Sequence, residues 1–95
     1  MERFQVAHVR EQGQDLVIIF VHYSIRMKSE IERGQIHRRL QAASIQSGMA
    51  GRAVLVWESS NRMEFYCDNN LHAFFQSVSY QVLAASINKT LTVAA

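Results

Sequence analysis

Cys67 and His72 are the two side chains whose types and spacing come nearest to catalytic chemistry. A helix dipole favours the thiolate of a cysteine that lies just before the helix, and an imidazole one turn further on is placed to act as its base. Cys67 also alternates with Met63 and Phe65 along a predicted strand, which is the pattern of a core face. Because buried cysteines are common, we interpret Cys67 as a core residue and predict a non-enzymatic protein with no catalytic residue.

The segment RMKSEIERGQIHRRLQ, residues 26–41, is the second candidate because it is rich in cations. Basic side chains that shared one face would contact nucleic-acid phosphates, and the candidates are Arg26, Lys28, Arg33, Arg38 and Arg39. At about 3.6 residues per turn, however, these side chains spread around the helix. Glu30 and Glu32 also neutralise part of their charge locally. A solvated helix face is therefore favoured, and an RNA- or DNA-binding module is the alternative.

The histidines and the single cysteine do not follow a metal-binding pattern. No two of His8, His22, His37 and His72 are spaced i, i+4 or as HxH, and the cysteine has no CxxC partner. The four glycines are scattered, so no glycine-rich phosphate loop is present. We therefore predict neither a metal nor a cofactor.

Length and composition indicate one globular domain, residues 1–95, with 48% hydrophobic and 19% charged residues. The net charge of +2 is too small to indicate a nucleic-acid or membrane partner. A lone cysteine favours a reducing compartment, and the sequence has no signal peptide or apolar run long enough to span a membrane. We therefore expect a cytoplasmic protein without a membrane partner.

The hydrophobic pattern predicts strands at 4–10 and 16–23 around a turn at Gly13, and further strands at 52–58 and 62–68. A first helix is predicted from a cap at Ser29, with Glu32 completing a capping box, to about Ser47. Gly34 within it indicates a close backbone contact. A second helix is predicted from Leu71 to about Asn88, followed by a frayed tail or short extended arm, TLTVAA.

These elements predict an α+β fold of the order ββαββα, in which units 4–48 and 52–88 follow one another. We expect two layers: a four-stranded antiparallel sheet with both helices mainly on one face.

This arrangement leaves apolar surface uncovered, because strands two and three are apolar on both faces and the first helix has two apolar stripes. An exposed patch of this kind usually marks an interface. We therefore predict a homodimeric interaction or regulatory module, and its candidate interface residues are Ile31, Ile45, Met49, Val17, Ile19, Val54 and Val56. The alternative is a third layer, formed by the tail or by one helix crossing to the far face. A more remote alternative is a small-ligand binder or enzyme with an interface pocket near His22, Tyr23 and Trp57.

Overall fold

A computed structural model describes residues 2–11, 13–60, 62–67 and 71–93. It contains five strands, three α-helices and one 3₁₀ helix in the described residues. In chain order they are β1 (Glu2–Glu11), β2 (Gln14–Phe20), the 3₁₀ helix (Tyr23–Met27), α1 (Glu30–Gln46), β3 (Arg52–Ser59), β4 (Arg62–Tyr66), α2 (His72–Ser77), α3 (Tyr80–Ala85) and β5 (Lys89–Val93).

The five strands form one mixed sheet in the order β4-β3-β2-β1-β5. The expected sheet of four antiparallel strands is wrong in two respects, because β2 and β3 run parallel and β5 adds a strand beside β1. The parallel pair follows from the length of α1. Its 17 residues rise about 26 Å, which returns the chain to the end of the sheet where β2 began.

Residues 90–93, in the segment expected to be a frayed tail or a short extended arm, form most of β5 because their side chains alternate. Leu91 and Val93 are buried in the core, whereas Thr90 and Thr92 are exposed. This period of two matches the pleat of a strand.

The helices cover both faces of the sheet, which corrects the expected two-layer arrangement. On one face, α1 packs on a core that includes Val17 and Ile19. On the other face, residues of α2 and α3 pack on a core that includes Ile18 and Val54. The third layer that was the alternative to self-association is therefore present, and it explains why the central strands are apolar on both sides.

The predicted second helix is two short helices. Ser79 interrupts it, because its side chain accepts a hydrogen bond from the backbone N–H of Val82 and so caps the start of α3. As a result Val82 is 57% exposed and Leu83 is buried.

The predictions for the first turn, the cap of α1 and Gly34 are confirmed, whereas the predicted strand 16–23 ends at Phe20 and its last residue, Tyr23, begins the 3₁₀ helix. Gly13 has a φ of +76° in the β1–β2 turn. Both hydrogen bonds of the capping box between Ser29 and Glu32 are present. The close contact at Gly34 is also found, since a Cβ there would lie 3.2 Å from the hydroxyl oxygen of Tyr66.

Candidate interaction surface

The exposed large apolar side chains are concentrated on one segment of the described chain. Five of them are more than half exposed, and Val82 is the only one outside the segment from the 3₁₀ helix to the end of α1. The other four are Tyr23 (53%), Met27 (81%), Ile31 (74%) and Ile45 (60%). Three of these lie within nine residues, 23–31, which we call the corner segment.

Buried and hydrogen-bonded groups hold the backbone of the corner segment in place. Ile25 lies in the core with 4% of its surface exposed. Arg33 of α1 donates from Nε to the carbonyl oxygen of Ile25 at 3.2 Å and from Nη2 to that of Arg26 at 2.7 Å. His22 caps the 3₁₀ helix, because its Nδ1 accepts from the backbone N–H of Ser24 at 3.2 Å. The exposed side chains are therefore carried on a backbone that is already ordered.

The capping box fixes the other end of the corner segment. The backbone N–H of Ser29 donates to the Glu32 carboxylate at 3.0 Å, and the backbone N–H of Glu32 donates to the Ser29 hydroxyl at 3.1 Å. Hydrogen bonding to the backbone and side chain of Ser29, with a smaller contribution from the charge of Lys28, holds the pKa of Glu32 below its usual value. Glu32 is thus a stable negative charge beside the apolar groups.

Tyr23 is held by its neighbours although half of its surface is exposed. Its ring centroid lies 4.3 Å from that of His22, and the Arg26 guanidinium carbon lies 5.7 Å from the centre of the Tyr23 ring. Arg26 in turn donates from Nη1 to Oγ of Ser59 at the end of β3, at 3.1 Å. Tyrosine and arginine held in this way are the residue types that dominate binding energy at protein interfaces.

Five of the seven predicted interface residues are buried inside the single chain. Their side chains are covered by the chain's own helices and exposed by 5% or less, and they are Val17, Ile19, Met49, Val54 and Val56. The interpretation of their apolar surface as a partner surface is corrected, because Val17, Ile19 and Met49 lie in the core on the α1 face and Val54 and Val56 in the core on the face of α2 and α3. Ile31 and Ile45 remain exposed.

The five predicted phosphate contacts do not form one surface. Arg33 is turned inward to backbone carbonyls, Arg26 is bonded to Ser59, and Arg39 lies 3.2 Å from the Glu2 carboxylate. Lys28 precedes α1, and Arg38 lies on the exposed side of α1, about two turns after its first residue, Glu30. Three of the five cations therefore have structural roles.

Cys67 and His72 line the same small cleft, of about 250 Å³, at the end of β4. The cleft brings the pair together as the sequence suggested, but both side chains have packing roles. Cys67 packs against the second core, and the His72 ring lies edge-on to Phe65 with 5.3 Å between ring centroids.

The residues of the predicted interface pocket do not share one cavity. Trp57 is 2% exposed and lies beneath Arg33, whereas His22 and Tyr23 are at the surface.

Within residues 2–11, 13–60, 62–67 and 71–93, no group of three His, Cys, Asp or Glu side chains is arranged to hold a metal ion. None of the three α-helices in the described part of the chain combines the length and the apolar character needed to cross a lipid bilayer.

The structure is thus a small α+β domain with a mixed sheet, helices on both faces of the sheet and an ordered, partly apolar corner segment. No protein-family model, curated protein sequence or solved structure matches the chain.

The sequence drew attention to Ile31 but not to Met27. Met27 belongs to no periodic pattern, since it lies in a short 3₁₀ helix between a strand and a helix. The available signal was a long apolar side chain between two cations, Arg26 and Lys28.

Proposed function

We propose that this protein is a non-enzymatic interaction module that forms a homodimer through the corner segment. The observation that carries the proposal is the clustering of Tyr23, Met27 and Ile31 on a backbone already ordered by Arg33 and the capping box. An ordered backbone lowers the entropy lost on association.

The charges of the corner segment support a second copy as the partner. A two-fold interface places the same patch on both subunits, so the patch must complement itself. Arg26 and Lys28 are exposed within the same few residues as Glu30 and Glu32. Two such corners meeting about a two-fold axis can therefore place cations of one subunit against carboxylates of the other.

Ile45 lies outside the proposed interface for a geometric reason. It is about 21 Å along α1 from Ile31, because the two are fourteen residues apart. Antiparallel pairing of two α1 helices that joined Ile31 to Ile45 would centre on residue 38. This would place Arg38 of both subunits on the axis, where two like charges repel.

Substitution of each of the two exposed isoleucines tests whether the dimer interface lies at the corner segment or near the far end of α1. Ile31→Glu and Ile45→Glu introduce the same charge on the same exposed helix, so each is a matched control for the other. The measurement is size-exclusion chromatography with light scattering at protein concentrations from about 5 to about 500 µM. This range spans the micromolar dissociation constant that we expect for the dimer. We expect the wild type and Ile45→Glu to approach about twice the 10.9 kDa chain mass, and Ile31→Glu to weaken dimerisation by at least about tenfold.

A monomeric wild type at 500 µM would overturn the proposal. Fluorescence anisotropy with a random oligonucleotide at two salt concentrations tests the nucleic-acid alternative. Binding that falls steeply with salt and depends on Lys28 and Arg38 would favour that alternative.

A further inference from the structure

A cleft of about 260 Å³ opens where the end of β2, the start of β1 and the inner side of α1 meet. We propose that this cleft binds a small carboxylate with an apolar body. The cleft adjoins the proposed dimer surface, since Ser24, Ile25 and Lys28 of the corner segment line it, but none of the exposed apolar side chains of that segment does.

The floor of the cleft is apolar. Phe4, Val21 and Ile36 are half-buried side chains that line the cleft and pack against the first core. Ile25, at 4% exposure, closes the floor. An apolar floor with a few polar groups around it is the usual composition of a small-molecule site.

The rim of the cleft carries an excess of positive charge. Its lining includes two cations, Lys28 and Arg39, and one carboxylate, that of Glu2. Glu2 pairs with Arg39 at 3.2 Å, so the pair is close to neutral and Lys28 supplies the surplus charge. The carboxylate of Glu32, whose pKa is lowered in part by the charge of Lys28, accepts from the Ser29 backbone and does not line the cleft. The rim therefore suits a monoanion.

His22 adds a hydrogen-bond donor to the same rim. Its Nδ1 accepts from the backbone N–H of Ser24, so in the neutral ring the proton resides on Nε2. A ligand carboxylate paired with the ammonium group of Lys28 has a second donor available on the cleft wall.

The position of the cleft agrees with this role. β2, α1 and β3 form a parallel β-α-β unit, and the cleft lies beyond the carboxyl end of β2. Ligands of α/β sheets bind beyond the carboxyl ends of parallel strands. The volume of about 260 Å³ lies just below the range of about 300–1,000 Å³ typical of ligand pockets, which suits a ligand of roughly ten non-hydrogen atoms. We expect millimolar affinity for so small a ligand.

The test is a titration of ¹⁵N-labelled full-length protein, followed by two-dimensional amide NMR spectra. The probes are 3-phenylpropionate, its neutral amide and acetate. We expect 3-phenylpropionate to shift the amides around Phe4, Val21, Lys28 and Ile36 saturably, the neutral amide to bind about three- to tenfold more weakly, and acetate not to saturate.

Two variants control the charge contribution. Lys28→Ala should weaken binding of 3-phenylpropionate about three- to tenfold, whereas Arg38→Ala, which removes an exposed cation outside the cleft, should leave it unchanged. Shifts centred on another part of the protein, or equal affinity of Lys28→Ala and wild type, would overturn the proposal.

Repeating the titration with Ile31→Glu separates this site from the proposed dimer. If the variant still binds 3-phenylpropionate, the cleft is complete within one chain. If binding is lost together with dimerisation, the proposal of a cleft within one chain is overturned. A ligand of this chemistry is either the carboxyl end of a peptide or a free small acid. N-acetyl-alanyl-phenylalanine with a free carboxylate distinguishes these two sources. Tighter binding of this peptide than of 3-phenylpropionate identifies a peptide end, and weaker binding identifies a free small acid.

Discussion

The guanidinium carbon of Arg33 lies 5.7 Å from the centre of the Trp57 ring, and the same side chain donates to the carbonyl oxygens of Ile25 and Arg26. One side chain therefore connects α1, the 3₁₀ helix and β3. The corner segment depends on Arg33 for its order although Arg33 is not itself part of the exposed surface.

Arg33→Lys keeps the charge but loses the planar arrangement of donors that reaches both carbonyls. We expect a loss of about 2 kcal/mol in the free energy of unfolding and faster amide hydrogen exchange in residues 23–28. Arg38→Lys is the matched control, since Arg38 is exposed on the same helix, and should change stability by less than about 0.5 kcal/mol. Unchanged exchange in residues 23–28 of Arg33→Lys would contradict this role.

Gly51 and Gly48 both have positive φ but differ in the space around them. A Cβ on Gly51, where φ is +130°, would lie 2.5 Å from the backbone oxygen of Asp15, whereas one on Gly48 would meet nothing within 4 Å. Gly51→Ala should cost about 3 kcal/mol or more, because strain adds to a clash with backbone, and Gly48→Ala about 1–2 kcal/mol. Urea denaturation of both variants measures the difference, and equal losses would show that the loop relaxes around the new methyl group.

The capping box makes stability depend on pH in a defined direction. The pKa of Glu32 is lowered in the folded protein, so its contribution is present above the ordinary value of 4.5 and is lost as the pH falls through the folded pKa. Glu32→Gln should therefore be less stable than wild type at pH 7, and the difference should shrink on acidification. Urea denaturation at pH 7 and pH 3 measures it, and a difference that grows toward pH 3 would contradict the assignment.

Ser29→Ala tests the other half of the same box. Loss of the hydroxyl acceptor should cost about 0.5–2 kcal/mol and raise the pKa of Glu32 toward its ordinary value. An NMR titration of the Glu32 carboxyl carbon measures the pKa. Ser47→Ala at the far end of α1 is the control and should leave this pKa unchanged.

Leu91→Ala tests the contribution of β5. Leu91 is fully buried and lies opposite Phe4 of β1, so its truncation should cost about 2–5 kcal/mol. Thr92→Ala, on the exposed side of the same strand, should cost less than about 1 kcal/mol. Thermal unfolding followed by circular dichroism compares the two, and similar losses would indicate that β5 contributes little to the core.

Local features of the fold were predictable where the signal lies within a few residues. Ser29 and Glu32 specify the start of α1, and Gly13 specifies the first turn. The direction of β3 was not predictable from its own residues, because it depends on the length of α1 and on which face of the sheet that helix crosses. The break at Ser79 was missed because the apolar spacing around it suits a continuous helix, while a single hydroxyl stops it.

The candidate surface was only partly predictable for a related reason. Val54 and Val56 have the composition of an uncovered face until two short helices are placed over the second side of the sheet. Ile31 was identified because it departs from the buried stripe of its own helix. The cleft beside His22 joins three elements from different parts of the sequence, so no local motif indicates it.

The register that places Glu2 opposite Val93 has a consequence for synthesis on the ribosome. β1 is made before its outer neighbour, and 77 residues separate the end of β1 at Glu11 from the start of β5 at Lys89. Until then the nascent chain exposes the backbone hydrogen-bonding groups along one side of β1, which is the kind of edge that chaperones shield and that neighbouring nascent chains capture. Residues 89–93 therefore close an edge of the sheet that stays open until the other described strands and helices have been made.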